Sequence, residues 1–133
     1  MNWKIVVTLG CFGIVMGAAS LFGLTQRIEP LFWIAIVLFA AYWIARNRTP
    51  KPFLHGLAAA VLMGMFNSIL QSAFFDMYRS NNPLAANGFY QVPDGFPVRV
   101  LLLFIGLAIG VTNGIVVGVL AVVATKLLKK HNH

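Results

Sequence analysis

The stretch GLAIGVTNGIVVG, residues 106–118, places Gly106, Gly110, Gly114 and Gly118 four residues apart inside an apolar run. In water, each glycine would cost a helix about 1 kcal/mol relative to alanine. In lipid, helices associate through close backbone approach and van der Waals contact, which glycine allows because it has no side chain. A four-residue spacing keeps the glycines on one ridge of a helix. The stretch therefore predicts a membrane helix that packs closely against a neighbour.

The composition of the whole chain also indicates a membrane protein. Of its 133 residues, 59% are hydrophobic and 10% are charged, whereas about a quarter are charged in a soluble domain. The charges leave uncharged runs at residues 5–26, 30–45, 52–75 and 100–125. Because a helix needs about 20 apolar residues to cross a membrane, we predict an all-α integral membrane protein. It is a single domain, 1–133, in which four transmembrane helices form a small-residue-packed antiparallel bundle, with spans at residues 4–25, 30–46, 54–78 and 98–126.

The first apolar stretch has a signal peptide as its alternative interpretation. Lys4 precedes it, and Ala18-Ala19-Ser20 resembles a small-residue cleavage site. The stretch continues through Leu24, however, and is longer than the apolar region of about 7–15 residues in a signal peptide. We therefore expect it to be a span.

The basic residues predict the orientation in the membrane. With four spans, both termini and the loop between the second and third spans share one side. That side carries seven basic residues and no acid, and the other side carries three of each. Because Lys and Arg concentrate in cytoplasmic loops, we expect both termini to be cytoplasmic, in a bacterial inner (plasma) membrane. The seven basic residues are Lys4, Arg46, Arg48, Lys51, Lys126, Lys129 and Lys130.

These basic residues also predict the partners of the cytoplasmic face. A cluster of Lys and Arg next to a membrane attracts anionic lipid headgroups. The charges are divided among three short segments beside the membrane, so we expect no nucleic-acid partner. On the opposite side, residues 79–98 form an external loop, in which three prolines, two glycines and an Asn-Gly pair predict turns.

The third span repeats the small-residue spacing of the fourth. Gly56, Ala60, Gly64 and Ser68 are four residues apart. Adjacent spans run antiparallel, so we predict that this face packs against the glycines of the fourth span. The second span is bulky and aromatic, and we expect it to face lipid.

Polar side chains inside the spans form the candidate site. Asn67 and Gln71 lie one turn apart in the third span, and Thr112 and Asn113 lie in the fourth. An unpaired amide in hydrocarbon costs several kcal/mol, so we expect these groups to face the interior. Asn67 and Asn113 are both near mid-span by residue count, which predicts a similar depth. They either join the helices by hydrogen bonds or line a small polar site or permeation path.

The sequence offers few residues suited to catalysis, proton transport or metal binding. No acidic residue lies at mid-span, where a carboxylate would indicate a proton-coupled carrier. His55 has no second ligand at metal spacing. We therefore expect no enzyme activity, no cofactor and no metal. Asp76 and Arg79, three residues apart near the outer interface, predict an ion pair.

Two functions remain open. The first is a packing or assembly subunit, which acts through its small-residue faces in a homo-oligomer or with a membrane-protein partner. The alternative is a small oligomeric channel or carrier for a small solute, with a polar mid-membrane site. If both small-residue faces are used within one chain, the argument for an oligomer weakens.

Overall fold

Helices account for the secondary structure of the described residues. The computed structural model describes residues 1–24, 26–89 and 91–132, and these ranges contain no strand. The helices are α1 (Trp3–Leu21), α2 (Glu29–Arg46), α3 (Pro52–Ala73), α4 (Phe75–Asn81), α5 (Pro83–Phe89) and α6 (Val98–His131). Four of these, α1, α2, α3 and α6, are long and apolar enough to cross a membrane. The predicted fold class is confirmed.

The first span is shorter than the prediction because a glycine ends it. Gly23 has a left-handed φ of 71°. Its N–H donates to the carbonyl of Ser20 at 3.0 Å, and the N–H of Leu24 donates to the carbonyl of Ala19 at 3.1 Å. These two bonds form a Schellman motif, which satisfies carbonyls at the end of a helix. Helix α1 therefore ends at Leu21.

The other span boundaries also shift. The third span ends at Ala73 rather than at residue 78, since Phe74 leaves helical geometry with φ −109° and ψ 42°. Helix α6 continues past residue 126 to His131 and contains 34 residues. It is about 51 Å long, which exceeds a hydrocarbon core of about 30 Å. Helix α6 is therefore longer than a span requires.

The predicted external loop contains helix as well as turns. Residues 79–81 complete α4, and residues 83–89 form α5, so the prediction of turns is wrong for these two segments. The Asn-Gly pair, Asn87-Gly88, lies inside α5, which begins with Pro83, a favoured residue in a first turn. Residues 91–97 form turns, bends and irregular backbone as predicted, and residue 90 lies outside the described residues.

The four long helices are arranged around the pair α3 and α6. Helix α1 packs on α3, helix α2 packs mainly on α6, and α2 makes few contacts with α3. We call the end with residues 1–4, 46–51 and 126–132 the terminal face, and the end with residues 22–24, 26–28, 74–89 and 91–97 the loop face. The buried apolar core lies in the half of the bundle near the terminal face. It contains Ile5, Leu9, Ala40, Ala41, Ile44, Ala59, Ala60, Met63, Val117 and Ala121.

Helices α3 and α6 approach each other along their small residues. A Cβ atom on Gly56 would lie 2.7 Å from the backbone nitrogen of Gly118, and one on Gly64 would lie 2.5 Å from the carbonyl oxygen of Gly106. Ser68 contacts Gly106. These distances leave no room for a side chain, and both small-residue faces are therefore used within one chain.

Helix α1 meets the opposite side of α3 in a similar way. A Cβ atom on Gly13 would collide with the backbone of Met63, and one on Gly17 would lie 2.8 Å from the Cδ1 atom of Leu70. The glycines of the first span thus also face inward.

Substitution of glycines should destabilise the protein in proportion to the closeness of the neighbouring backbone. We expect Gly64→Ala to lower the free energy of unfolding by about 1–3 kcal/mol, because overpacking forces the backbones apart. Gly110→Ala should cost less, because its Cβ would lie 3.1 Å from the Cα of Val61. Denaturant unfolding in detergent, followed by circular dichroism, measures both.

Gly88 supplies the matched control. It is helical, and a Cβ on it would meet nothing within 4 Å. Gly88→Ala should leave stability unchanged or raise it by up to about 1 kcal/mol. Equal losses for Gly64→Ala and Gly88→Ala would contradict the packing argument.

Candidate functional site

A cavity of about 280 Å³ lies between α2, α3 and α6. Three of its lining residues, Ala60, Met63 and Val117, also belong to the buried core. They form a floor that closes the cavity toward the terminal face. The remaining walls are mostly apolar and include Trp33, Val37, Leu102, Ile105 and Ile109. Such a site, apolar with a few polar groups, is typical of small-molecule binding.

The end of the cavity near the loop face carries its charged group. Glu29, the first residue of α2, lines the cavity and is partly buried. The indole Nε1 of Trp33, one turn further along α2, donates to Oε1 of Glu29 at 3.2 Å. Burial raises the pKa of the Tyr78 phenol, and the negative charge of Glu29 raises it further. Tyr78 is therefore a neutral phenol at physiological pH.

Asparagines of the loop face hold α4 against α1 and so place Tyr78. The Nδ2 atom of Asn82 donates to the carbonyls of Ser20 at 2.7 Å and Tyr78 at 2.8 Å. Asn81 donates to the carbonyl of Leu21 at 2.8 Å. The last carbonyls of a helix lack partners within it, so these amides satisfy the end of α1 and fix the position of α4.

Asn67 is the polar residue of the site with an unsatisfied atom. It lines the cavity, and its Oδ1 is buried without a hydrogen-bond partner. Leaving an acceptor in this state costs about 1–3 kcal/mol. A rotation of the Asn67 side chain would be needed to bring this oxygen into contact with a molecule in the cavity.

The other three predicted polar residues have different surroundings. Asn113 lines the cavity together with Asn67. Gln71 also lines it, but its Nε2 donates to the Oγ of Ser20 at 3.0 Å and so connects α3 to α1. Thr112 is exposed, and its Oγ1 donates to the carbonyl of Ala108 at 2.9 Å on its own helix. Thr112 does not line the cavity.

Asn67 and Asn113 lie at different depths, contrary to the prediction. The register of the two helices places Gly64 against Gly106 and Gly56 against Gly118. Asn67 is therefore level with the turn of α6 around Gly106, and Asn113 lies about two turns further along, or about 11 Å. The prediction counted residues from the span ends, whereas the contacts between small residues set the actual register.

The predicted packing residues also form part of the cavity wall. Ala60, Gly64 and Ser68 of α3, with Gly106 and Gly110 of α6, line it where the two helices meet. The Oγ of Ser68 donates to the carbonyl of Met65 at 3.1 Å within α3. Gly114 and Gly118 lie nearer the terminal face, against Leu57 and Phe53.

Asp76 forms its ion pair with a residue that the sequence did not indicate. Its Oδ2 lies 3.5 Å from Nη2 of Arg99, at the start of α6. The sequence predicted Arg79 as the partner. Arg79 and Asp76 both line one surface depression. The break at Phe74 starts a new helix there, and this helix carries Asp76 toward α6.

Three residues that line the cavity, Glu29, Trp33 and Tyr78, were not predicted as site residues. The spacing of Glu29 and Trp33 could have indicated a common site, because residues four apart lie on one face of a helix. Nothing in the sequence indicated Tyr78, since its place in the cavity depends on the break between α3 and α4.

Comparison of the chain with protein-family models, with curated proteins and with solved structures gives no match.

Substitutions of Asn67 and Asn113 should affect stability independently. Sites more than about 7–10 Å apart usually add to within about 0.5 kcal/mol. We expect Asn67→Leu and Asn113→Leu to show an interaction energy below that value in a double-mutant cycle in detergent. The control cycle is Gln71→Leu with Ser20→Ala, whose side chains share a hydrogen bond, and its interaction energy should be about 0.5–3 kcal/mol. Strong coupling between the two asparagines would contradict the observed register.

Proposed function

We propose that this protein binds a small amphiphilic solute in the cavity between α2, α3 and α6, without enzymatic chemistry. The observation that carries the proposal is a cavity of about 280 Å³ between the spans, whose mostly apolar walls include the polar side chains of Glu29, Asn67 and Asn113. Apolar walls with a few polar groups suit an amphiphilic ligand. A rotation of the Asn67 side chain would let its unpartnered Oδ1 accept a hydrogen bond from such a ligand, which would offset the desolvation of this oxygen.

The shape of the cavity favours a carrier over an open channel. Ala60, Met63 and Val117 close it toward the terminal face. A carrier opens its site to one side of the membrane at a time, whereas a channel needs a continuous path. The cavity of about 280 Å³ is near the lower limit, about 300 Å³, of common ligand pockets.

The assembly function has less support than the solute site. It depended on small-residue faces available to a partner. The glycine contacts of α1, α3 and α6 are made inside the chain. A homo-oligomer or membrane-protein partner would have to use the exposed faces that also suit lipid.

We further propose that the terminal face is cytoplasmic and contacts anionic lipid. A cleft of about 600 Å³ on this face is lined by Arg46, Arg48, Lys129 and Asn132 among others. The Nη1 of Arg46 donates to the hydroxyl of Tyr42 at 2.7 Å, which holds the guanidinium at the edge of the membrane-spanning part of α2. Such a cluster attracts lipid phosphates.

Cysteine labelling tests the orientation. In a Cys11→Ala background, Arg48→Cys should be protected from a membrane-impermeant maleimide in intact cells, and Gly88→Cys should react with it. The reason is the excess of basic residues on the terminal face. Reaction of the cysteine at position 48 from outside the cell would reverse the proposed orientation.

Quenching of Trp33 fluorescence tests the solute site. Trp3→Phe and Trp43→Phe leave Trp33, which lines the cavity, as the single tryptophan. We expect 8-bromooctan-1-ol to quench it saturably in phosphatidylcholine vesicles, because bromine in the cavity lies close to the indole. Adding Ile105→Phe with Ile109→Phe, both in the cavity wall, should remove the saturable component.

The control places two phenylalanines elsewhere on α6. Ile115 and Val119 are each 50% exposed and lie outside the residues that line the cavity. Ile115→Phe with Val119→Phe should therefore preserve saturable quenching. If quenching is never saturable, or if the two double variants behave alike, the cavity is not a binding site.

A further inference from the structure

Glu29 gives the cavity a negative charge. Among the residues that the structure describes, neither Lys nor Arg lines the cavity to balance this charge. Within the described residues, the ion pair found on the loop face joins Asp76 and Arg99. The hydrogen bond found for the carboxylate of Glu29 is the one from Trp33. A partly buried carboxylate in this situation favours a cationic partner, because removal from water is costly for an unpaired charge.

Aromatic groups beside Glu29 match the same chemistry. Trp33 and Tyr78 line the cavity at this end. The faces of indole and phenol rings attract ammonium groups within about 6 Å of the ring centre. A carboxylate next to two such rings is a suitable environment for an organic cation that also has an apolar part.

The rest of the cavity fits an apolar chain attached to that cation. From Glu29 to Val37, both of which line the cavity, α2 rises about 12 Å. The facing wall of α6 presents Leu102, Ile105 and Ile109. A chain of several carbons can therefore lie between the two helices while its charged end stays near the loop face.

We propose that the ligand of this cavity is an amphiphilic organic cation, an amine or ammonium group on an apolar chain, with the positive charge against Glu29 and the chain along α6. This inference rests on the proposed function and specifies its ligand class. The carboxylate and the two aromatic rings select the charge, and the apolar walls select the chain.

Three probes that differ only in their head group test the proposal. They are 8-bromooctylammonium, 8-bromooctan-1-ol and 8-bromooctanoate, added to the Trp33-only protein in uncharged phosphatidylcholine vesicles at neutral pH. We expect the ammonium probe to reach half-saturation at a concentration about tenfold lower than the alcohol, because a charge-assisted contact adds to the same apolar burial. The carboxylate probe should bind more weakly than the alcohol.

Glu29→Gln is the decisive variant, because it removes the charge and keeps an acceptor for the Trp33 indole. It should lose most of the preference for the ammonium probe over the alcohol and keep only the part that the Trp33 and Tyr78 rings supply. Asp94→Asn is the matched control, since Asp94 is an exposed acid of the loop face outside the residues that line the cavity. It should keep the preference for ammonium.

The outcomes separate the ligand class from the site itself. If no probe quenches Trp33 saturably, the proposed function fails. If the alcohol binds saturably and the wild-type protein shows no preference for ammonium, the cation proposal alone is overturned, whether or not Glu29→Gln folds. Retention of the full tenfold preference in Glu29→Gln would also overturn it.

Discussion

Helices α3 and α6 pack against each other along their small residues, and this contact positions the other two spans. Lipid supplies little hydrophobic drive for helix association, so the stability of this pair comes from close packing. Gly56 against Gly118 and Gly64 against Gly106 bring the two backbones together and fix their register. The other two spans then pack on opposite sides of this pair, α1 on α3 and α2 on α6.

That arrangement also creates the cavity. Near the terminal face, all four long helices contribute to one core. Toward the loop face, the cavity lies between α2 and α3, and α6 forms its third wall. The small residues that allow α3 and α6 to approach each other also form part of the wall. The contact between α3 and α6 therefore both holds the two helices together and forms part of the cavity wall.

The loop face adds the chemistry that the spans lack. Asn81 and Asn82 satisfy the last carbonyls of α1, and in doing so they hold α4 so that Tyr78 reaches the cavity. Glu29 and Trp33 enter it from the start of α2. A carboxylate, an indole and a phenol therefore meet at one end, and Asn67 adds a further polar side chain to the wall.

The membrane environment, the four spans and the small-residue faces of the central pair could be predicted from the sequence. These follow from composition and from periodicity within single helices, which are local properties. The fold was needed to establish the relative depth of Asn67 and Asn113, the partner of Asp76 and which residues line the cavity. Each of these depends on the register between helices or on the break at Phe74, and both are set by contacts between segments far apart in the chain. A residue pattern within one helix does not specify its register against the neighbouring helix.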